Sequence, residues 1–175
     1  MEVFLIRHTS VAVAHGTCYG HTDVPLNETF EEEAAVTKKN LDGVEFDAVY
    51  TSPLSRATRL AGFCGYPDAI RDVRLKEMNM GDWEMLRFDE IKDENLLKWY
   101  DNYLYTRTTN GESFSDLCAR VSGFLKELSS QPFKTVAIFA HGGVLISAQI
   151  YAGVVPFEKG FDALTHYGGI VRIEI

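Results

Sequence analysis

Val3-Phe4-Leu5-Ile6-Arg7-His8-Thr9 is the run of sequence that decides the fold of this chain. An apolar run of strand length ends abruptly in an arginine and a histidine, which is typical of a buried β-strand. In open α/β sheets, ligands bind just beyond the carboxyl ends of the strands. Arg7 and His8 therefore lie where a binding site would form, although two polar residues at a strand end need not have a function.

A second apolar run, near the other end of the chain, repeats this arrangement. The strand-like run 135–140 is followed by His141-Gly142-Gly143, and a helical pattern begins at Val144. Between the two runs, residues 49–57 pass from a strand into a helix and place Arg56 in the first turns of that helix. We therefore expect two histidines and two arginines at one edge of a sheet. Arginines and the N–H groups of a helix start both bind phosphoryl oxygens.

Strand and helix patterns alternate along the chain, which predicts an α/β fold with three layers, α/β/α, around a mostly parallel central sheet. Besides the first strand, the predicted strands cover residues 46–51, 68–73, 135–140 and 171–175. The predicted helices cover residues 28–41, 54–63, 113–128 and 144–151, with Asn27 and Ser113 as N-caps of the first and third. Residues 88–105 should form one or two further helices.

The length and composition indicate one ordinary globular domain. The chain has 175 residues, of which 46% are hydrophobic and 24% charged, so we expect a single domain over 1–175 with one sizeable core. A helical insertion at about 76–112 could act as a lid over the site. Its aromatic residues are more often core than ligand contacts.

The net charge of −8 argues against non-specific binding to nucleic acid, although a few arginines can still form a positive pocket for a small anion. No apolar run approaches the roughly 18 residues that a membrane span needs, and no basic n-region of a signal peptide precedes the first strand. The three cysteines, Cys18, Cys64 and Cys118, form no CxxC pair, so no zinc or redox motif is indicated. We expect a cytoplasmic protein that needs neither a metal nor a cofactor.

Six short blocks extend the pattern over nearly the whole chain. They are Arg7-His8-Thr9, Ser52-Pro53-Leu54-Ser55-Arg56-Ala57, Leu75-Lys76-Glu77-Met78, Gly81-Asp82-Trp83-Glu84, Asn110-Gly111-Glu112-Ser113 and His141-Gly142-Gly143. In this order they resemble the histidine phosphatase superfamily, which has the phosphoglycerate-mutase-like fold. The resemblance implies a metal-independent phosphomonoesterase that acts on a small-molecule phosphate monoester through a phosphohistidine intermediate, as a monomer or a homodimer.

The resemblance also assigns roles to individual residues. His8 matches the nucleophile, which requires a neutral imidazole with one free nitrogen. Glu77 matches the general acid that protonates the leaving alkoxide, with Asp82 and Glu84 as alternatives. The phosphate pocket is matched by Arg7, Arg56 and His141. Further substrate contacts are expected from Thr9, His15, Tyr19, Gly20, Trp83 and Gly142.

Two segments depart from the family pattern. Most members have Gly-Glu-Thr after the nucleophile, whereas this chain has Thr9-Ser10-Val11. Ala14 and His15 stand where an asparagine often contacts phosphate, and His15 could take over that contact.

Three activities remain open: a monoester phosphatase, a mutase that returns the phosphoryl group to its product, and a non-catalytic phosphate-binding module. Hydrolysis is favoured because mutases of the family usually carry longer insertions. The binding module is disfavoured because all the matches to catalytic residues are present.

Among the phosphatases, residues 18–26, 77–84 and 109–114 are most similar to the α-ribazole-5′-phosphate phosphatases of the cobalamin pathway. Related broad-specificity phosphatases share parts of each segment. The resemblance implies hydrolysis of α-ribazole 5′-phosphate to α-ribazole in cobalamin nucleotide-loop assembly. Such a substrate needs a flat apolar wall beside the phosphate site, for which the candidates are Tyr19, Trp83, Phe88, Trp99 and Tyr103.

Overall fold

The computed structural model describes the whole chain, from Met1 to Ile175. Five strands, β1 to β5, are formed by Glu2–Arg7, Ala48–Thr51, Ile70–Arg71, Thr135–Ala140 and Ile170–Glu174. Five α-helices, α1 to α5, are formed by Phe30–Asn40, Ser55–Phe63, Asn95–Asn102, Phe114–Leu128 and Gly142–Tyr151. Short 3₁₀ helices lie at Val73–Leu75, Gly81–Trp83, Phe88–Glu90 and Phe157–Ala163.

The strands form one sheet in the order β3-β2-β4-β1-β5. The pairs β1–β4, β2–β4 and β2–β3 are parallel, and only β5 runs antiparallel, along β1. In the register, Arg7 pairs with Ala140 and Thr51 with Phe139. The residues that follow these three strands therefore leave from one edge of the sheet, as the sequence predicted.

Helices cover both faces of this sheet, because successive side chains of a strand point to opposite faces. Val3 and Leu5 belong to a cluster of 24 buried residues that includes α4 and α5. Phe4 and Ile6 belong to a cluster of 10 buried residues that includes α1 and α2. The predicted three-layer α/β/α architecture with a mostly parallel sheet is confirmed.

Helix starts follow local hydrogen bonds. At α4, the Ser113 side chain accepts from the Asp116 N–H and the Asp116 carboxylate accepts from the Ser113 N–H, a complete capping box. The N-cap predicted at Asn27 is wrong, since the Asn27 amide donates to the Ser10 hydroxyl and α1 begins later, at Phe30. None of the five α-helices combines the length and the apolar composition that a membrane span requires.

Within residues 88–105, only Asn95–Asn102 is α-helical. The Asp93 carboxylate accepts hydrogen bonds from the Asn95 N–H, the Trp83 indole and the Thr109 hydroxyl. These bonds fix the start of α3 and join it to the rest of the insertion. The use of this insertion as a lid stays a prediction.

Candidate active site

His8 follows β1 directly and is only 2% exposed. Its Nδ1 lies 2.7 Å from the Thr9 carbonyl oxygen; a carbonyl can only accept, so Nδ1 carries the proton and Nε2 has a free lone pair. Burial, with the positive charges of Arg56 and Arg7, lowers the pKa of His8 from 6.5 to about 3. The imidazole is therefore neutral at physiological pH, as a nucleophile must be.

Arg7, the residue before His8, contacts the segment that contains Thr165 and Tyr167. Its guanidinium carbon lies 4.0 Å from the centre of the Tyr167 ring, and its Nη1 donates to the Thr165 carbonyl. The Arg7 Nε is buried and has no hydrogen-bond partner. No carboxylate pairs with this arginine.

Arg56, in the first turn of α2, is fully buried. Its Nη1 and Nη2 donate to the carbonyls of Thr22 and Gly20, at 2.9 and 2.6 Å. It too forms no ion pair with a carboxylate. Burying this charge without an ion pair is costly, and the negative charge that acts on it, chiefly that of Glu77, lies beyond ion-pair distance.

His141 is fully buried between Arg56 and Ser52. Arg56 Nε donates to its Nδ1 at 3.2 Å, so its Nε2 carries the proton and donates to the Ser52 hydroxyl at 2.7 Å. Burial and the charge of Arg56 lower the pKa of His141 well below 6.5. Its ring centre is 5.2 Å from that of His8, but both of its nitrogens are bonded within the protein.

The Glu77 carboxylate lies at the start of α5. Its Oε1 accepts from the Met78 N–H at 2.9 Å, and its Oε2 accepts from the Gly143 N–H at 3.1 Å. A Cβ on Gly143 would lie 2.4 Å from Glu77 Oε1, so a side chain at this position would displace the carboxylate from the Gly143 N–H.

The two alternatives to Glu77 are engaged elsewhere. Glu84 accepts hydrogen bonds from the N–H groups of Gly20, His21, Thr22 and Met80 and from the Thr22 hydroxyl. Burial acts to raise its pKa, but these hydrogen bonds outweigh that effect and lower it. Asp82 accepts from the Asn110 amide. Neither carboxylate lines the cavity beside His8.

That cavity has a volume of about 250 Å³. Its polar end is formed by Arg7, His8, Glu77 and the start of α5 at Gly142–Gly143. The rest of the wall is apolar or aromatic and consists of Tyr19, Met78, Met80, Phe88, Trp99, Phe114, Leu117, Ile146, Phe161 and Leu164. One compartment thus joins a cationic end to an apolar end.

The predicted apolar wall is partly correct. Tyr19, Phe88 and Trp99 line the cavity. Trp83 does not, because it is 1% exposed, donates its indole N–H to Asp93 and packs edge-on behind Trp99. Tyr103 lies in a separate shallow depression. The structure thus places Trp83 outside the cavity, and the substrate contact predicted for it stays a prediction.

Among the other predicted substrate contacts, only Gly142 joins Tyr19 in the cavity wall. Thr9 is buried and acts through its carbonyl on His8. Gly20 carries the carbonyl bonded to Arg56, and a Cβ there would lie 1.7 Å from the Met78 carbonyl oxygen. His15 is exposed and lies outside the cavity, and the phosphate contact predicted for it stays a prediction.

Several residues of the site were missed by the sequence analysis. Phe114, Leu117 and Ile146 lie on buried helical faces. Helical periodicity predicts that such residues are buried, but it does not distinguish the core from the wall of a cavity. Phe161 and Leu164 belong to a segment after α5 without any period. The sequence signal that could have identified them is the presence of large apolar side chains in a segment without helix or strand periodicity.

Comparison with known proteins agrees with this geometry. The sequence profile of the histidine phosphatase superfamily (branch 1) matches residues 3–175. The adenosylcobalamin/alpha-ribazole phosphatase of Escherichia coli K12 is 34% identical over 154 residues, 83% of this chain and 75% of that protein. The 2,3-bisphosphoglycerate-dependent phosphoglycerate mutase of Bartonella tribocorum is also 34% identical, over 72% of this chain and 68% of that protein.

Among solved structures, the alpha-ribazole phosphatase of Shigella flexneri superposes with a TM-score of 0.90 at 31% identity, over 100% of this chain and 91% of that one. Fold, profile and the order of the sequence blocks lead to the same conclusion. The chain belongs to branch 1 of the histidine phosphatase superfamily.

Proposed function

We propose that this histidine phosphatase hydrolyses α-ribazole 5′-phosphate through a phosphohistidine at His8. The observation that carries the proposal is the pair of arginines, Arg7 and Arg56, which lie beside a neutral His8 without any carboxylate partner. A phosphate dianion supplies the missing counter-charge. It also gives the unpartnered Arg7 Nε an acceptor.

In the first step, the His8 Nε2 lone pair attacks phosphorus and the ester P–O bond breaks. Arg7 and Arg56 hold the charge of the transferring phosphoryl group, as preorganised donors do in phosphoryl transfer. The leaving alkoxide takes a proton from the Glu77 carboxyl group.

In the second step, water attacks phosphorus and the P–N bond breaks. Glu77, now a carboxylate, accepts the proton of the attacking water. Phosphate leaves and His8 returns to its neutral form, so atoms and charges balance without a metal. His141 supports both steps by holding the Arg56 Nε.

The cavity shape supports α-ribazole 5′-phosphate as the substrate. Its phosphate fits the cationic end, and its dimethylbenzimidazole fits the aromatic wall that includes Phe88, Trp99 and Phe161. The names of the Escherichia coli and Shigella flexneri relatives support the same choice. With this substrate, the enzyme would act in cobalamin nucleotide-loop assembly. A cytoplasmic location and a monomeric or homodimeric state stay predictions from the sequence.

A trapping experiment tests the intermediate. Brief incubation with labelled substrate and an alkaline quench should yield a base-stable, acid-labile phosphoprotein from wild type and none from His8→Ala. The variant should also fall to the background rate. Equal turnover by the two proteins would overturn the mechanism, and a loss of wild-type activity with EDTA would overturn its independence of metals.

A second experiment tests the substrate against the mutase alternative, which the Bartonella tribocorum relative favours. We expect a higher kcat/KM for α-ribazole 5′-phosphate than for 3-phosphoglycerate, and no 2-phosphoglycerate from the latter. Trp99→Ala should narrow this preference by removing apolar contact, since binding energy away from phosphorus also contributes to the rate. Wild type that isomerises 3-phosphoglycerate, or prefers it, would reject the proposed substrate.

A further inference from the structure

We propose that Arg120 and Glu112 are positioning residues that hold Glu77 in place for proton transfer. This inference rests on the proposed role of Glu77 as the general acid. It assigns a purpose to the Asn110-Gly111-Glu112-Ser113 block, which the mechanism so far leaves unused.

Arg120 lies on α4, and Glu112 lies just before that helix. Arg120 Nε and Nη2 donate to Glu112 Oε1 and Oε2 at 2.7 and 2.9 Å, a bidentate pair. The two side chains are only 19% and 20% exposed. Water therefore competes weakly for this pair, and its planar fork fixes the orientation of both side chains.

The Arg120–Glu112 pair forms hydrogen bonds with the backbone on both sides of Glu77. Arg120 Nη1 donates to the carbonyls of Arg74 and Lys76, both at 2.7 Å, and its Nη2 donates to the Glu77 carbonyl at 2.8 Å. Glu112 Oε2 accepts from the Asn79 N–H at 2.8 Å. Residues 76–80 belong to no helix or strand, so side-chain bonds of this kind determine where the segment lies.

Two neighbouring helices thus hold Glu77 at different points. Arg120 of α4 holds its backbone carbonyl, and Gly143 at the start of α5 holds its carboxylate. Both helices are anchored in the larger core cluster. A general acid must stay within hydrogen-bond reach of the atom that it protonates, and a displacement of about 1 Å can cost about 10²-fold in rate. The ion pair therefore sets the position of the acid without touching the substrate.

A second arginine pair beside the same helix gives a matched control. Arg107 Nε and Nη2 donate to the two oxygens of Asp116 at 2.7 and 2.8 Å. Arg107 is 69% exposed, and its guanidinium bonds to Asp116 alone. It has the same bidentate geometry, but no bond to the segment that carries Glu77.

The experiment compares Arg120→Lys with Arg107→Lys on two substrates. One is an alkyl phosphate, whose alkoxide needs a proton to leave. The other is para-nitrophenyl phosphate, whose leaving group needs little protonation. Arg120→Lys should lower kcat/KM, which reports the first step in which the leaving group departs, about 10²-fold for the alkyl phosphate and only a few-fold for the aryl phosphate. Arg107→Lys should keep both rates within about two-fold of wild type.

A purely structural role would lower both rates of Arg120→Lys by one common factor, and that result would overturn the inference. Placing Arg120→Lys on a Glu77→Gln background gives a further check, because the second change should then add little to the loss for the alkyl phosphate. Additive losses would also overturn it. If Arg120→Lys does not fold, Glu112→Gln keeps the side-chain size and must show the same substrate dependence.

Glu77→Gln alone separates this inference from the proposed function. If Glu77→Gln shows no dependence on the leaving group, the assignment of the general acid has failed. If Glu77→Gln shows the dependence and neither Arg120→Lys nor Glu112→Gln does, only the positioning role has failed.

Discussion

His8 occupies a position that resists protonation, because burial and two nearby arginines both oppose a positive ring. The unfolded chain binds a proton on this residue below about pH 6.5, whereas the folded chain binds it only below about pH 3. Between these values the unfolded state carries more protons, so stability falls as the pH drops. The property that makes His8 a nucleophile therefore weakens the fold in acid.

Substitution of His8 measures this loss of stability in acid. From pH 7 to pH 5, the lowered pKa of His8 should remove about 2 kcal/mol from the free energy of unfolding. His8→Gln has no such titration, so its loss over the same interval should be smaller by about that amount. Urea unfolding of both proteins at the two pH values checks this, and the carboxylate contributions cancel in the comparison. Equal losses in the two proteins would show that His8 titrates normally when folded.

Helix α4 connects fold and site, since its first turn carries the capping box and its second carries Arg120. Ser113→Ala removes the hydroxyl that accepts from the Asp116 N–H. Loss of such a cap costs about 1 kcal/mol, and urea unfolding should report a decrease of that size. Ser129→Ala, at the exposed end of the same helix, is the control and should stay within about 0.5 kcal/mol of wild type. If Ser129→Ala destabilised the protein as much as Ser113→Ala, the capping box would not account for the loss in Ser113→Ala.

Elements with a strong local signal were predicted well. Strand β4 and the Ser113 cap were predicted at the residues where they occur, because an apolar run and a capping box can both be recognised in a short stretch of sequence. The helix start at Asn27 was not, since a distant partner, Ser10, engages that amide. Sequence spacing does not reveal such a competitor.

The residues of the candidate site also form two groups, those that the sequence predicted and those that it did not. Arg7 ends strand β1, and His8 and His141 directly follow the parallel strands β1 and β4. Strand pairing therefore brings these residues together, and the sequence could predict it. The apolar wall depends on how the insertion and the segment after α5 pack. Nothing in the sequence distinguishes Trp83, which is buried behind the wall, from Trp99, which forms it. Only tertiary packing decides between the two.

The whole chain contributes to this one site, from Arg7 at the end of the first strand to Leu164 before the last. Its ends also meet, since the N-terminal amine donates to the Ile175 carbonyl and β5 pairs with β1. The insertion at 76–112 joins this assembly through Arg120 and through Trp83, Ile91 and Leu96 of the larger core cluster. These contacts favour a single cooperative domain over 1–175 and disfavour an insertion that unfolds by itself.

The two tryptophans, Trp83 and Trp99, make this testable, because both lie within the insertion. Their fluorescence reports unfolding of the insertion, and far-UV circular dichroism reports unfolding of the helices and sheet as a whole. For one cooperative unit, the two signals and the loss of phosphatase activity should share one urea midpoint, as two-state unfolding requires. The Arg120→Lys variant, which lacks the guanidinium clamp on residues 74–77, is the more sensitive protein for this comparison. A fluorescence transition at lower urea than the circular dichroism transition in wild type would show that the insertion opens as a separate unit.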